Sequence, residues 1–360
     1  MKTKLYHIIR GLYSLVLTVI AWIFPVALLA VLNKDIPSSD IFVAYKTGNL
    51  FVYLVVSVFI LGSVHWLLNR ITDLPNIRRL SMGLIMGIRF LSFIVILALY
   101  DTLDIMTFFD EKFGDLPKKF TPELFTSVHF YGSLLYILFI DTIFGWFYQI
   151  RTIIGEKTFR NLLLGKYRKP RAEKRIFMFI DMKDSTTHAE QLGHVKFTRL
   201  IQECFRDFGF VARKRKVDIY QYIGDEVVVS WYIKPGIKDQ NCLRLFFDFQ
   251  ERLVIKWPEY LRKYNIKPVF KAGVHSGHVT VAEIGLFKRG IEYLSDVLNT
   301  ASRIQGLCNE YQADLLISKD VFEQLDENTD FKMEIIQNVG LKGKEQKMDI
   351  FSVIKMGKSG

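Results

Sequence analysis

Two aspartates stand where a strand and a hairpin turn of the C-terminal half are expected. Asp181 closes the β-rich run RIFMFID, and Asp225 lies in the sequence YIGDE between two further β-rich runs. Two carboxylates that converge above one sheet, with a backbone carbonyl, suit Mg²⁺ held against a triphosphate. A strand-terminal aspartate alone is as often a helix cap. The prediction of a metal site therefore rests on the pair.

The surrounding pattern predicts the elements that position this pair. Strands are expected at Arg175–Asp181, Lys216–Tyr222, Glu226–Tyr232, Lys267–Val274 and Val279–Ile284. Helices are expected from the capping residues Asp184–Thr187 to about 214, then at about 240–263 and 296–308. The free amides that open the first helix are suited to binding phosphate. The order β-α-β-β-α-β is that of a ferredoxin-like unit, so the fold class is predicted to be α+β.

Five segments resemble the successive motifs of class III adenylyl and guanylyl cyclases. They occur in the order of that family: FMFIDMKDST (177–186), YIGDEVVVSW (222–231), KAGVHSGHVT (271–280), DVLNTASRIQ (296–305) and LKGKEQKMDIFSV (341–353). The resemblance covers roughly Glu173–Val353 and does not extend into the N-terminal half. It implies a nucleotide cyclase domain that follows a separate N-terminal domain.

Carried over by position, the resemblance implies roles for individual residues. Asp181 and Asp225 would bind two Mg²⁺ or Mn²⁺ ions, assisted by the Met182 carbonyl. Asn299 would orient the ribose and nucleotide. Arg303, four residues later on the same helix face, would stabilise charge that develops on the α-phosphate.

The resemblance also implies a reaction and an assembly. Lys342 would hold the terminal phosphates while the ribose 3′-hydroxyl attacks the α-phosphate and pyrophosphate leaves. Such chemistry needs mainly positioning and charge neutralisation. In this family the metal ligands come from one chain and the other residues from its partner. A homodimer is therefore expected.

The base-reading positions depart from the usual pattern of the family. Adenylyl cyclases usually carry lysine four residues before the second metal aspartate, where this chain has Gln221, and the partner position aligns with Glu292. A glutamine amide can donate to adenine N1 while Glu292 accepts from the exocyclic amine. Alternatively, Glu292 can accept from guanine N1–H and N2–H while Gln221 donates to O6. ATP is the expected substrate and GTP the alternative. Ser295 replaces a glycine, a change that could alter a tight turn.

Two other functions were weighed for the cyclase-like half. A non-catalytic nucleotide-binding receptor would be expected to lack a metal aspartate or Arg303, and the chain keeps both kinds of residue. A diguanylate cyclase needs a Gly-Gly-Asp/Glu-Glu-Phe turn, and residues 222–226 read YIGDE. A transporter or channel is disfavoured because few polar residues occur in the N-terminal apolar segments.

The N-terminal half contains long apolar runs that predict a four-helix transmembrane bundle. The predicted spans are Gly11–Leu32, Leu50–Leu68, Leu80–Tyr100 and Val128–Ile150, each near the 20 residues needed to cross a bilayer. Pro25 is expected to kink the first span. The predicted organisation is thus a membrane domain at 1–150, a juxtamembrane linker at 151–172 and a cyclase domain at 173–360.

Charge distribution predicts the orientation. Basic residues flank the N-terminus, the second loop and the end of the fourth span, so both termini and the cyclase domain are expected in the cytoplasm, at the inner or plasma membrane. Much of the net charge of +11 clusters near residues 151–175, which favours contact with a membrane surface over binding of nucleic acid. Three cysteines without metal-type spacing fit a reducing cytosol.

Two charged residues fall inside the apolar spans. Arg89 in the third span and Asp141 in the fourth are expected at a similar depth, where they can pair. A structural ion pair is the favoured interpretation, and a proton sensor or a site for an unidentified membrane or extracytoplasmic ligand is the alternative. His65 and His129 are interpreted as interfacial residues and not as haem ligands. The linker is expected to continue the fourth span as a helix to about Leu164.

Overall fold

The computed structural model describes residues 2–33, 50–74, 77, 80–102, 128–287, 289–325, 330–341 and 347–356. The chain divides into two compact units, Met1–Phe159 and Arg160–Gly360. The first unit is helical, and the second is built from strands and helices. The boundary falls inside the linker predicted at 151–172, and the three-part division stays a prediction.

Long helices form the described part of the first unit. They are α1 (Lys2–Asn33), α2 (Leu50–Thr72), α3 (Met82–Thr102) and α4 (Val128–Ile154). Three segments are long and apolar enough to cross a membrane: Gly11–Leu32, Leu54–Thr72 and Leu134–Ile154. Among the described residues of α3, the apolar segment found is the shorter Gly83–Ser92. The predicted third span, Leu80–Tyr100, and with it the count of four spans, therefore stays a prediction. Large side chains such as Phe24 and Phe51 are exposed, which suits contact with lipid.

A buried cluster of polar side chains joins α2, α3 and α4. Nη2 of Arg89 lies 3.2 Å from each carboxylate oxygen of Asp141, and both residues are at most 3% exposed. Nδ1 of His65 lies 2.5 Å from Asp141 Oδ1, and Arg89 Nη1 donates to Asn69 Oδ1 at 2.5 Å. The predicted pairing of Arg89 with Asp141 is confirmed. The interfacial placement of His65 is wrong, because this histidine completes the buried cluster. The side chain of His129 lies outside the described residues.

Breaking this ion pair from one side is expected to destabilise the helical unit strongly. Arg89→Met leaves the Asp141 carboxylate buried without its cation, at a cost of about 3–5 kcal/mol. Replacing both partners, as Arg89→Met with Asp141→Leu, is expected to regain most of that loss. Arg70→Lys, at an exposed position where a cation beside the Trp66 ring is kept, is the control and should stay within about 0.5 kcal/mol. Unfolding of the full chain in mixed micelles measures all three. Equal loss in the single and double variants would contradict the pairing.

The segment after α4 differs from its prediction. Helix α4 ends at Ile154, and a separate helix α5 (Glu156–Leu163) follows. Gly155 between them has φ +87°, a left-handed conformation that glycine adopts without steric cost. The continuous helix expected through Leu164 is therefore wrong.

The second unit is built on one eight-stranded mixed sheet. Its strands are β1 (Arg171–Met182), β2 (Asp218–Ile223), β3 (Glu226–Tyr232), β4 (Phe270–Ile284), β5 (Gly290–Leu294), β6 (Leu315–Ser318), β7 (Phe331–Val339) and β8 (Met348–Lys355). They lie in the order β2-β3-β1-β4-β6-β8-β7, and β5 pairs with β4. Strand β1 pairs antiparallel with both β3 and β4.

Helices follow the strands in the predicted order. They are α6 (Ser185–Leu192), α7 (His194–Ala212), α8 (Ile233–Ile237), α9 (Asn241–Tyr264), α10 (Asp296–Gly306) and α11 (Lys319–Phe322). The predicted β-α-β-β-α-β order is confirmed from β1 to β4, and so is the α+β class.

Three local predictions are corrected. The single helix expected from 184 to 214 is split, because Gly193 takes φ +71° between α6 and α7. Asp184 has φ +56° and makes no side-chain hydrogen bond to the helix, so it is not a side-chain cap. The strands expected at Lys267–Val274 and Val279–Ile284 are one strand, β4, because β1 pairs with it without interruption from Phe270 to Val281.

The two faces of the sheet carry different helices. Along β1, side chains alternate between the faces, as in any strand. Ile176, Met178 and Ile180 belong to the core formed with α7 and α9. Phe177 and Phe179 face the other way and pack against α10. Helix α10 therefore lies on the same face of the sheet as the odd-numbered residues of β1, which include Asp181.

Close packing of α10 depends on a glycine in β4. A Cβ added at Gly273 would lie 2.2 Å from the backbone nitrogen of Gln305 and 2.6 Å from the Ala301 carbonyl oxygen. Gly273→Ala should displace the helix backbone and cost about 1–3 kcal/mol, as overpacking does. Thermal unfolding of the solubilised protein measures the loss. Gly209→Ala, in helix α7 with nothing within 4 Å of the added atom, is the control and should be neutral or stabilising. Equal melting temperatures for the two variants would contradict the prediction.

Candidate active site

Asp181 and Asp225 meet at one end of β1. Asp181 pairs with Glu226 in the β1–β3 ladder, and Asp225 is the second residue of the two-residue turn just before Glu226. Gly224, the first residue of that turn, has φ +60°, the conformation that tight hairpin turns demand. The two aspartate side chains are within hydrogen-bonding reach of each other. The expected convergence is therefore present in the fold.

Negative charge accumulates at this end of the strand. Burial, and then the charge and hydrogen bond of Asp225, raise the pKa of Asp181 to about 6. Burial and the same two aspartates raise the pKa of Glu226 to about 7. Lys271 Nζ, 3.8 Å from Asp181 Oδ2, and Gln305 Nε2, which donates to that oxygen at 3.1 Å, oppose the shift only in part. A bound cation would relieve the remaining repulsion.

The donors at this site fit Mg²⁺ or Mn²⁺ bound together with a nucleotide. Carboxylate and carbonyl oxygens are the ligands that these ions prefer. The Met182 side chain is buried in the core, so only its backbone carbonyl is available as a ligand. Across the described parts of the chain, no group of three or more His, Cys, Asp or Glu side chains is arranged to hold a metal ion. Two carboxylates completed by substrate phosphates is a usual coordination for Mg²⁺.

Asn299 and Arg303 lie on α10 but face away from the aspartates. Gln305 on the same helix is buried and reaches Asp181, whereas Asn299 is exposed and Arg303 half-buried. At about 100° per residue, the directions in which Arg303 and Gln305 leave the helix axis differ by roughly 160°. Those of Asn299 and Gln305 differ by roughly 120°. Within this chain, the two residues therefore point away from the carboxylates.

The predicted base-reading residues lie on β2 and β5. Gln221 is exposed on β2, and Glu292 is half-buried on β5, opposite Ala282 of β4. The hydroxyl of Tyr220 donates to Glu292 Oε2. Tyr220 falls where the β2–β3 register shifts, between Ile219 and Gln221. Sequence reasoning missed Tyr220, because a bulge and a contact across 72 residues leave no local signal.

Two further predictions have different outcomes. Lys342 lies outside the described residues. Ser295 has an extended backbone with φ −177°, so no glycine is required there, and its hydroxyl accepts a hydrogen bond from the Val297 amide at the start of α10. The expected disturbance of a tight turn is therefore absent. Lys271 was missed as a site residue, although it stands in the motif KAGVHSGHVT and pairs with Asp181 in the β1–β4 ladder.

A mixed sheet that carries paired carboxylates at the end of an interior strand and at the adjacent hairpin is the arrangement expected of a nucleotide cyclase domain. The sequence model of the family described as "Adenylate and Guanylate cyclase catalytic domain" matches residues 168–355, just over half of the chain. The protein belongs to this family.

Two proteins with similar sequences bear the name adenylate cyclase. The chain is 31% identical over 212 residues to "Adenylate cyclase 2" of Rhizobium meliloti, which covers 59% of this chain and 58% of that protein. It is 25% identical over 185 residues to "Adenylate cyclase" of Anabaena cylindrica, covering 49% of this chain and 36% of that protein. The chain therefore matches less than two thirds of the length of these relatives.

A solved structure shares the fold. A bacterial light-regulated adenylyl cyclase superposes with a TM-score of 0.55 at 15% identity, over 65% of this chain and 68% of that one. At this identity the likeness concerns the fold alone.

Proposed function

We propose that the protein is a membrane-bound adenylate cyclase that converts ATP to 3′,5′-cyclic AMP and pyrophosphate as a homodimer. The observation that carries the proposal is the carboxylate pair, Asp181 and Asp225, at the end of the interior strand β1 of a cyclase-family domain. The adenylate cyclase names of the similar proteins support the choice of reaction.

In the proposed reaction, the ribose 3′-hydroxyl releases its proton to solvent water and its oxygen attacks the α-phosphorus. The new O3′–Pα bond forms as the bond from Pα to the bridging oxygen of the β-phosphate breaks, and pyrophosphate leaves. Two divalent ions would supply neutralisation of phosphate charge and a lower pKa of the 3′-hydroxyl. Asp181, Asp225 and the Met182 carbonyl would hold these ions, and Gln305 orients the Asp181 carboxylate through its hydrogen bond.

The remaining substrate contacts are assigned to a second protomer. Arg303 stabilises charge on the α-phosphate, Asn299 orients the ribose, and Lys342 holds the terminal phosphates. Since Asn299 and Arg303 face away from Asp181 on α10, a partner chain must supply them if they are to reach the same nucleotide. The geometry of α10 thus supports the homodimer.

The choice of ATP rests on Gln221 and Glu292. The Gln221 amide donates to adenine N1, and Glu292 accepts from the exocyclic amine. A guanylate cyclase is the second candidate, because a glutamate carboxylate also matches the N1–H and N2–H donors of guanine.

Anchoring in the inner or plasma membrane is assigned to the helical unit. Three apolar segments long enough to cross a bilayer support this assignment. The basic residues after the last of them support a cytoplasmic cyclase domain, by the positive-inside rule.

Cyclase assays of the detergent-solubilised protein test the proposal, with ATP and GTP supplied separately in Mg²⁺ and in Mn²⁺. Cyclic AMP as the main product supports it. Cyclic GMP would keep the reaction and replace the base assignment. Binding of nucleotide by a dimer that forms neither product would contradict the enzyme and favour a receptor.

A further inference from the structure

Glu292 is engaged before any nucleotide binds. The hydroxyl of Tyr220 donates to its Oε2 atom, so one of its two carboxylate oxygens already accepts a hydrogen bond from the protein. A hydrogen bond to a fixed donor restricts the rotation of a glutamate side chain, which otherwise samples many rotamers. The contact therefore determines which edge of the carboxylate faces a substrate.

The ring of Tyr220 is itself held in place. It packs edge-on against Tyr293, with centroids 5.0 Å apart and an interplanar angle of 82°. Tyr293 in turn contacts Arg175, whose guanidinium carbon lies 4.9 Å from the centroid of the Tyr293 ring. Arg175 is 1% exposed and donates to Glu173 Oε2 at 2.8 Å and to Ser230 Oγ at 3.0 Å. Rigid support of this kind is what a positioning residue needs.

The Tyr220 hydroxyl remains a donor at physiological pH. Burial, and next the hydrogen bond to Glu292, raise the pKa of Tyr220 above its ordinary value. The phenol therefore keeps its proton, and Glu292 Oε2 is occupied by an O–H donor.

The hydrogen bond to one carboxylate oxygen gives Glu292 different affinities for adenine and guanine. Adenine offers the carboxylate a single donor, its exocyclic amine, which the other oxygen can accept. Guanine offers two parallel donors, N1–H and N2–H, that are best accepted by both oxygens of one carboxylate. The second of these contacts has to share Oε2 with the Tyr220 hydroxyl. A carboxylate oxygen has two lone pairs, so sharing weakens the guanine contact without excluding it.

We propose that Tyr220 is a positioning residue that sets base specificity. Its hydrogen bond fixes the orientation of Glu292 and leaves Oε1 for one donor while Oε2 is shared, which favours adenine over guanine. The inference rests on the proposed function, in which Glu292 reads the base. Tyr220 touches neither the reacting phosphate nor the ribose in that assignment. Its loss should therefore change nucleotide selection more than turnover.

The experiment compares Tyr220→Phe with Tyr222→Phe in the full-length protein. Tyr222 lies on the same strand but packs against Phe205 of α7, with ring centroids 4.9 Å apart, so it is a matched control. In Tyr220→Phe, the ratio of kcat/KM for ATP to kcat/KM for GTP should fall about tenfold, as expected for one hydrogen bond. The KM for ATP should rise while its kcat changes little. Tyr222→Phe should keep the wild-type ratio.

Binding measurements keep the inference separable from the proposed function. The probes are 3′-deoxy-ATP and 3′-deoxy-GTP, which lack the attacking hydroxyl and so report base selection without turnover. A wild-type protein that forms no cyclic nucleotide contradicts the proposed function. A Kd ratio shifted in Tyr220→Phe and unchanged in Tyr222→Phe still supports the role of Tyr220. The inference is overturned if Tyr220→Phe leaves both ratios unchanged, or if the two variants change them equally.

Discussion

Asp225→Asn is expected to lower cyclase activity by about 10²–10³-fold, the effect of losing a principal source of transition-state charge stabilisation. The substitution removes one of the two carboxylates that would hold the metal ions and keeps the size of the side chain. Asparagine also suits a hairpin turn, so the β2–β3 connection should be retained. Initial rates with saturating ATP and Mn²⁺, set against wild-type protein prepared identically, measure the loss.

The melting temperature of the Asp225→Asn variant distinguishes loss of activity from loss of folding. Burial first, and then the charge of Asp225, raise the pKa of Asp181, so part of the shift reflects repulsion between the carboxylates when no cation is bound. Removing one negative charge should therefore leave the melting temperature of the metal-free protein unchanged or higher. Asp184→Asn is the matched control, because Asp184 is exposed, three residues beyond Asp181, and has the left-handed φ that asparagine tolerates. It should retain full activity.

Two outcomes would count against this prediction. Activity of Asp225→Asn within tenfold of wild type would remove the carboxylate pair from the mechanism. A marked drop in melting temperature together with inactivity would make the effect structural.

Mixing two inactive variants is expected to restore activity. Asp225→Asn removes a metal ligand, and Arg303→Ala removes the charge stabilisation, which alone should cost about 10²-fold or more. If the two residues act from different chains, a mixed dimer has one site with both defects and one intact site. Random pairing of equal amounts then yields about a quarter of the wild-type activity, because half of the dimers are mixed.

The control pairs two defects on the same side of the site. Co-expressed Asp181→Asn and Asp225→Asn should stay inactive, since every site then draws its carboxylates from a defective chain. Co-purification through two different affinity tags verifies that mixed dimers are present. Failure of Asp225→Asn and Arg303→Ala to complement in verified mixed dimers would contradict the shared site.

Much of the site was predictable because its signals are local. Asp181 follows an apolar β-rich run, and Asp225 stands in a Gly-Asp turn between two such runs, so the sequence alone determined which strand ends carry them. The Arg89–Asp141 pair was also predictable, because a charge inside an apolar span has few ways to be neutralised. Helical spacing also placed Asn299 and Arg303 on one face of α10, because residues four apart lie one above the other along a helix.

The tertiary structure decided the contacts that join distant segments. The two glycines that interrupt the predicted helices, Gly155 and Gly193, required backbone angles that residue type permits but does not impose. Lys271 and Gln305 reach Asp181 only because β4 pairs with β1 and α10 packs on the same face of the sheet. Tyr220 on β2 reaches Glu292 on β5 although β2 pairs with β3 and β5 pairs with β4, so only the folded sheet brings the two side chains together. Sequence patterns report the local preferences of the backbone, whereas these side-chain contacts depend on register and packing, which the whole fold determines.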